Sequence, residues 1–269
     1  MTQFFSMVQS AASNLMLQAR IVMALHEREL LIRTEKGLLG ALGVFIEPML
    51  LVLTLLAMQI LLRFKTTNLI NPVIWMVTGV CLFCLFTEVG LKSLNGVKRA
   101  QDVFFYRRIR PLDTLLASAL VEGRIFGSVL TVVVLAVWGW TWQAQLDSPG
   151  EAVLVFVLTV LLALGVGGSA LVIGHRLPVV KLAVRFGIQR VLLWTSGIFY
   201  ALYTLPGPVR PFLTWNPLLH AVELFRHAVN QAYPIPDISM TYLAGCAFVS
   251  CGFGLLFYSS NEALLLSEN

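Results

Sequence analysis

His220, Glu223 and His227 stand at i, i+3 and i+7 in the stretch 217–232. That spacing gathers all three on one face of a helix, where two imidazoles and a carboxylate could hold a metal ion. The same spacing describes a polar stripe along an interfacial helix, and that reading is preferred, with no metal assigned. Cys81 and Cys84, in the string C-L-F-C, and Cys246 and Cys251 all lie inside apolar runs. Zinc would want four converging ligands, so these read as small apolar residues.

Nucleotide chemistry needs a loop that cradles phosphates, G-x-x-x-x-G-K-[ST]. The nearest string, Gly90-Leu91-Lys92-Ser93, lacks both the preceding glycine and the loop. The chain is therefore expected to bind no cofactor and to leave ATP hydrolysis to another protein. The four histidines, His26, His175, His220 and His227, are scattered, and no G-x-S-x-G string exists. No catalytic residue is assigned.

Charges inside apolar stretches are costly in lipid and must face protein, each other or a water-filled path. Glu122 and Arg124, in V-E-G-R, are two such residues; Glu47, beside Phe45, and Glu88 are others. Each admits two readings, a structural ion pair or the lining of a translocation path. Trp194, Phe199, Tyr200, Tyr203, Phe212 and Trp215 gather in one region. An aromatic belt at the membrane interface accounts for them, as would faces on which sugar rings stack.

The elements that must position these residues follow from composition. Of 269 residues, 58% are hydrophobic and 12% charged, so lipid is the implied solvent. Residues 15–36 mix Leu15, Val22, Leu25, Leu30 and Ile32 with Arg20, Arg28 and Arg33, the pattern of an amphipathic helix at the interface. Six spans of roughly 20 apolar residues are expected at about 38–62, 71–89, 112–140, 152–173, 182–205 and 242–258. Between the last two, 206–237 is rich in proline, and 217–232 is helical by spacing but too short and polar to span. A re-entrant hairpin on the outer side fits it. The fold class is an all-α membrane protein, a single domain over 1–269.

Arg20, Arg28, Arg33, Lys36, the basic block between Lys92 and Arg110, and Arg176 to Arg190 fall on one side of this arrangement. Only Arg63, Lys65, Arg210 and Arg226 fall on the other, so both termini are expected in the cytoplasm. Residues 1–19 contain no Lys or Arg, unlike the basic start of a signal peptide. The net charge of +5 reads as topology information and not as a nucleic-acid surface. Within 94–111, a basic rim surrounds Val103, Phe104, Phe105 and Tyr106, a composition suited to docking in a groove of a soluble partner or to an ordinary positive-inside loop.

Several segments resemble the permease family of ABC type-2 exporters, specifically its capsule-polysaccharide members of the KpsM type. These are R-E-L-L-I-R-T at 28–34, G-L-L-G at 37–40, Glu47-Pro48, R-I-R-P-L-D at 108–113, V-E-G-R at 121–124 and W-N-P-L-L-H-A-V-E-L-F-R at 215–226. The resemblance implies a homodimer in the bacterial inner membrane, bound to a separate ATPase homodimer that carries ATP and magnesium. Lipid-linked polysaccharide would leave between the two copies toward periplasmic and outer-membrane export proteins. Val97, Arg99, Asp102, Val103, Phe104, Phe105 and Tyr106 would then belong to the coupling helix, with Arg28 and Arg33 on the interface helix that receives the ATPase. Phe45, Glu47, Glu122, Arg124, Trp194, Phe199, Tyr200, Tyr203 and Trp215 become candidates for the path, and Asn216, His220, Glu223 and Arg226 for an outer gate. Other readings are an exporter of O-antigen, teichoic acid or a drug, and, in a different class, a membrane-embedded enzyme or a structural subunit.

Overall fold

The computed structural model describes residues 2–34, 69–96, 109–141, 146–184 and 189–262, together with 46, 49–55, 57, 61 and 265. Every regular element among them is helical. Helix α1 runs Thr2–Thr34, α2 Pro72–Lys92, α3 Pro111–Thr141 and α4 Pro149–Arg176. Two short helices follow, α5 at Pro178–Ala183 and α6 at Gln189–Thr195, then α7 at Pro217–Val229 and α8 at Met240–Ser259.

Proline sets many of the starts, since a ring with φ near −65° suits the first helical position, where the missing N–H has no partner to lose. Asn71 and Asn216 complete two of these starts. Their side-chain oxygens accept from the backbone N–H groups of Val73 and Leu218, each at 3.0 Å. Thus the strings N-P at 71–72 and 216–217 are both capped helix openings.

Among the described residues, four helices are long and apolar enough to cross a membrane: α2 with its following turn (24 residues), α3 (31), α4 (28) and α8 (20). Helix α7, with 13 residues, is about 20 Å long, short of the roughly 30 Å hydrocarbon core. The expected first span falls largely outside the described residues, but those at 49–55 are helical, with Leu50 and Leu53 exposed and Val52 buried.

The expected fifth span, 182–205, holds helix only as far as Thr195 in its described part. Gly197 then takes φ +70°, and a Cβ there would lie 2.7 Å from Leu219. The apolar run continues past this point, but the helix does not. Residues 202–204 form a separate 3-10 turn.

Helix α2 is the centre of the assembly. In its most apolar window 83% of residues are buried, against 17% for α8, which leaves α8 at the edge. Helices α4 and α8 approach each other closely. A Cβ on Gly165 would sit 2.3 Å from the carbonyl carbon of Ser250, and one on Gly254 would sit 2.2 Å from the Gly165 oxygen. Small residues let backbones meet this way where lipid offers no hydrophobic drive for helix association. Helix α1 docks on α3 through a separate small cluster of Val22, Leu25 and Ala117.

Candidate functional site

Two groups of polar residues lie at opposite ends of α2. Trp75 is in its first turn and Lys92 at its last residue, about 25 Å apart along the axis.

At the Lys92 end, three helices meet on one carboxylate. Glu122 of α3 is 2% exposed. Its Oε1 accepts from Nη2 of Arg33 on α1 at 2.7 Å, and Nζ of Lys92 on α2 lies 3.5 Å from the same oxygen. Both cations also pair on their own helices, Arg33 with Glu29 at 2.8 Å and Lys92 with Glu88. Burial alone would lower the proton affinity of the Arg33 guanidinium. The hydrogen bond and charge of Glu122, with Glu29 behind it, outweigh that and hold it above its ordinary value. A second polar tie joins the same two helices, from the Gln18 amide to Asp113. Asp113 is itself buried and accepts from the Arg110 backbone N–H at 2.9 Å. Because Gln18 precedes Arg33 as Asp113 precedes Glu122, α1 runs alongside α3 in the same sense. A cavity of about 360 Å³ opens beside this junction, walled by Arg28, Glu29, Arg33, Lys92, Thr114 and Ser118.

At the Trp75 end, α7 carries a fully buried ion pair. Arg226 and Glu223 are both 0% exposed, with Nη1 3.1 Å from Oε1. The same Nη1 donates to the Gly197 carbonyl at 2.7 Å, and Nη2 donates to the Trp75 carbonyl at 3.3 Å. The guanidinium also lies 3.6 Å above the Trp75 ring, a cation–π contact. Tyr233 donates its phenol to Glu223 Oε2 at 3.0 Å. The unusual φ of Gly197 thus turns its carbonyl toward Arg226 as the chain leaves α6.

The His220, Glu223 and His227 set shares a face, yet its members are engaged separately. His220 Nδ1 accepts from the Ser239 N–H at 3.1 Å, which leaves the proton on Nε2 to donate to the Thr214 carbonyl at 2.7 Å. His227 Nδ1 donates to the Tyr233 carbonyl at 2.9 Å. Burial holds the His220 pKa below its ordinary value, with these backbone hydrogen bonds opposing the shift. Each of the three side chains is therefore engaged in packing around α7.

The remaining candidates are dispersed. Arg124, two residues past Glu122, is exposed, as helical spacing requires of a residue on the far side from the junction. Arg28 is exposed on the cavity wall. Trp194 is 59% exposed, with Phe199 tilted against it at 5.0 Å, and Tyr200 is half-buried. Tyr203 meets Tyr233 edge to face at 5.4 Å, which ties it to the Glu223 cluster. Trp215 is 57% exposed, and its carbonyl accepts from the Tyr242 hydroxyl at 2.7 Å. Asn216 is buried and donates to Thr195 Oγ1 and Ser196 Oγ at 3.0 and 3.1 Å. Phe45, Glu47, Val97, Arg99, Asp102, Val103, Phe104, Phe105 and Tyr106 lie outside the described residues.

Sequence reasoning missed Trp75, Gly197 and Tyr233 as members of the cluster around Glu223 and Arg226, and it counted Lys92 only as a topology charge. Among these, Gly197 carried a signal, since a glycine amid bulky apolar residues marks a turn or a close backbone approach. The partners of Trp75 are 151 residues away in sequence, beyond any local pattern.

Comparison with known proteins extends the picture. The chain is 30% identical over 258 residues to the polysialic acid transport protein KpsM of Escherichia coli, covering 96% of this chain and 100% of that one. It is 27% identical to the capsule polysaccharide export inner-membrane protein CtrC of Neisseria meningitidis, over 81% of this chain and 82% of that one. With the capsule polysaccharide export inner-membrane protein BexB of Haemophilus influenzae it shares 25% identity over 80% of each. The profile of the ABC-2 type transporter family matches residues 20–230, from the middle of α1 to the end of α7. With span-length helices and a match along most of its length, the chain belongs to the ABC-2 type transporter family of membrane proteins.

Proposed function

We propose that this chain is the membrane subunit of an ATP-driven exporter that carries a capsule-type polysaccharide, with its lipid anchor, out across a bacterial inner membrane. The observation that carries the reading is the similarity to the polysialic acid transport protein along 96% of the chain. Two copies form the path, and a separate pair of ATPase subunits supplies the energy, because the sequence has no phosphate-cradling loop. In this reading the first and fifth stretches join the four long helices as spans, α7 is the helix of a re-entrant outer hairpin, and both termini face the cytoplasm. Nucleotide binding closes the ATPase pair against the segment 97–108 and against α1, and the spans part to admit the glycan. Periplasmic and outer-membrane proteins receive it.

Co-expression of the chain with its ATPase in a capsule-export mutant tests this. Surface polysaccharide is expected to return only when both subunits are present, and a two-to-two complex is expected to co-purify. Failure to restore the polysaccharide with both proteins stably made would overturn the assignment.

A further inference from the structure

We propose that Glu122 is a positioning residue for transport, an exchange joint at which displacement of α1 is handed to α2 and α3. The inference rests on the export reading above and deepens it by naming where the stroke passes through this chain.

The geometry has three parts. First, cations from two different helices converge on one oxygen: Arg33 from α1 at 2.7 Å and Lys92 from α2 at 3.5 Å, both on Oε1 of Glu122. Second, each cation holds a second carboxylate one turn earlier on its own helix, Glu29 for Arg33 and Glu88 for Lys92. Either cation can therefore release Glu122 without becoming an isolated charge. Third, Glu122 is 2% exposed and has no such alternative among the described residues, so losing both cations would strand a buried carboxylate. One cation can leave only while the other stays or moves closer.

That asymmetry gives two arrangements of similar energy and a barrier against intermediate ones, which is what a conformational relay requires. Among the side chains described, the apolar contact between α1 and α3 consists of Val22, Leu25 and Ala117 with a few half-buried neighbours. It leaves the polar junction to set how α1 registers against α3. When α1 is drawn away, Arg33 falls back on Glu29 and Lys92 closes on Glu122, shifting the end of α2.

The test uses the complex with its ATPase in lipid nanodiscs. In a variant whose four native cysteines are replaced, spin labels are placed at Leu31→Cys on α1 and Leu120→Cys on α3, both exposed positions. Pulsed distance measurements are made with and without trapped nucleotide. The native junction is expected to give two distance distributions. Glu122→Gln is expected to give a single distribution that ignores nucleotide, because Arg33 is already released. Arg33→Gln is expected to do the same, and stands in should Glu122→Gln fail to assemble. In cells, glycan exported per ATP split is expected to fall about tenfold in each variant, within the usual span of coupling between sites. The double variant is expected to be no worse than either single one. A nucleotide-dependent shift in Glu122→Gln equal to that of the native junction, or no shift in either, overturns the inference. Losses that multiply in the double variant do so as well. A native complex that shows the shift but exports no polysaccharide would instead sink the export reading and leave the joint standing.

Discussion

The guanidinium of Arg226 lies over Trp75, 3.6 Å from the ring centroid, while the same group bonds Glu223, Gly197 and the Trp75 carbonyl. One side chain thereby ties α7, the turn after α6 and the first turn of α2. Removing it leaves Glu223 buried and uncompensated. Arg226→Gln is expected to lower stability by about 3–5 kcal/mol, read as a fall in melting temperature in detergent. Arg226→Lys is expected to be nearly as harmful, because an ammonium has neither the fork nor the flat face. The pair Arg226→Met with Glu223→Leu is expected to recover more than half of the loss. Equal stability of Arg226→Lys and the native chain would contradict this account.

The approach of α4 and α8 sets a second expectation. Gly165→Ala puts a methyl group 2.3 Å from backbone that has no room to yield, so the helices must separate. A cost of about 1–3 kcal/mol follows. Gly245→Ala, on the same α8 but with nothing within 4 Å of the new carbon, is the control and is expected to be neutral. Thermal unfolding of both variants in one detergent decides the matter.

His220 predicts a pH dependence whose sign follows from its burial. Its folded pKa lies below the ordinary 6.5, so the unfolded chain takes up a proton first as the pH drops. The stability His220 contributes is complete above about pH 6.5 and is lost as the pH falls through the depressed folded value. Melting curves between about pH 8 and pH 5 are expected to show a shallower decline for His220→Gln than for the native chain. Parallel declines would show that other groups govern acid sensitivity.

Asn216 caps α7 and also bonds Thr195 and Ser196 at the end of α6. Asn216→Ala is expected to cost about 1–2 kcal/mol for the cap alone, with Thr195→Val costing less. Because the cap fixes where α7 begins, limited proteolysis between 205 and 216 is expected to quicken in Asn216→Ala. An unchanged digestion pattern would mean that the loop is held by other contacts.

How much of this was legible beforehand depended on the range of the interaction. The apolar stretches that became α2, α3, α4 and α8 announce themselves by composition, a local signal, and in the first three a proline opens the helix. The break after Thr195 was missed because hydropathy averages over a window, and a single glycine at positive φ does not change the average. Arg33 and Glu122 were both singled out, but for different tasks. Their bond joins residues 89 apart, and charge type alone does not say which distant carboxylate a cation will find. Glu223 and Arg226 are both gate candidates only through the family resemblance, whereas Trp75 and Tyr233, which complete their enclosure, come from other parts of the chain.

Helix α2 is gripped at both extremities, by Arg226 near its beginning and by the Glu122 junction at its finish, and is enclosed along most of its length. A rod held so cannot lean at one extremity alone. Any displacement that draws Lys92 toward Glu122 must either bend α2 or be felt by α7 at its other end, and a helix without an internal proline resists bending.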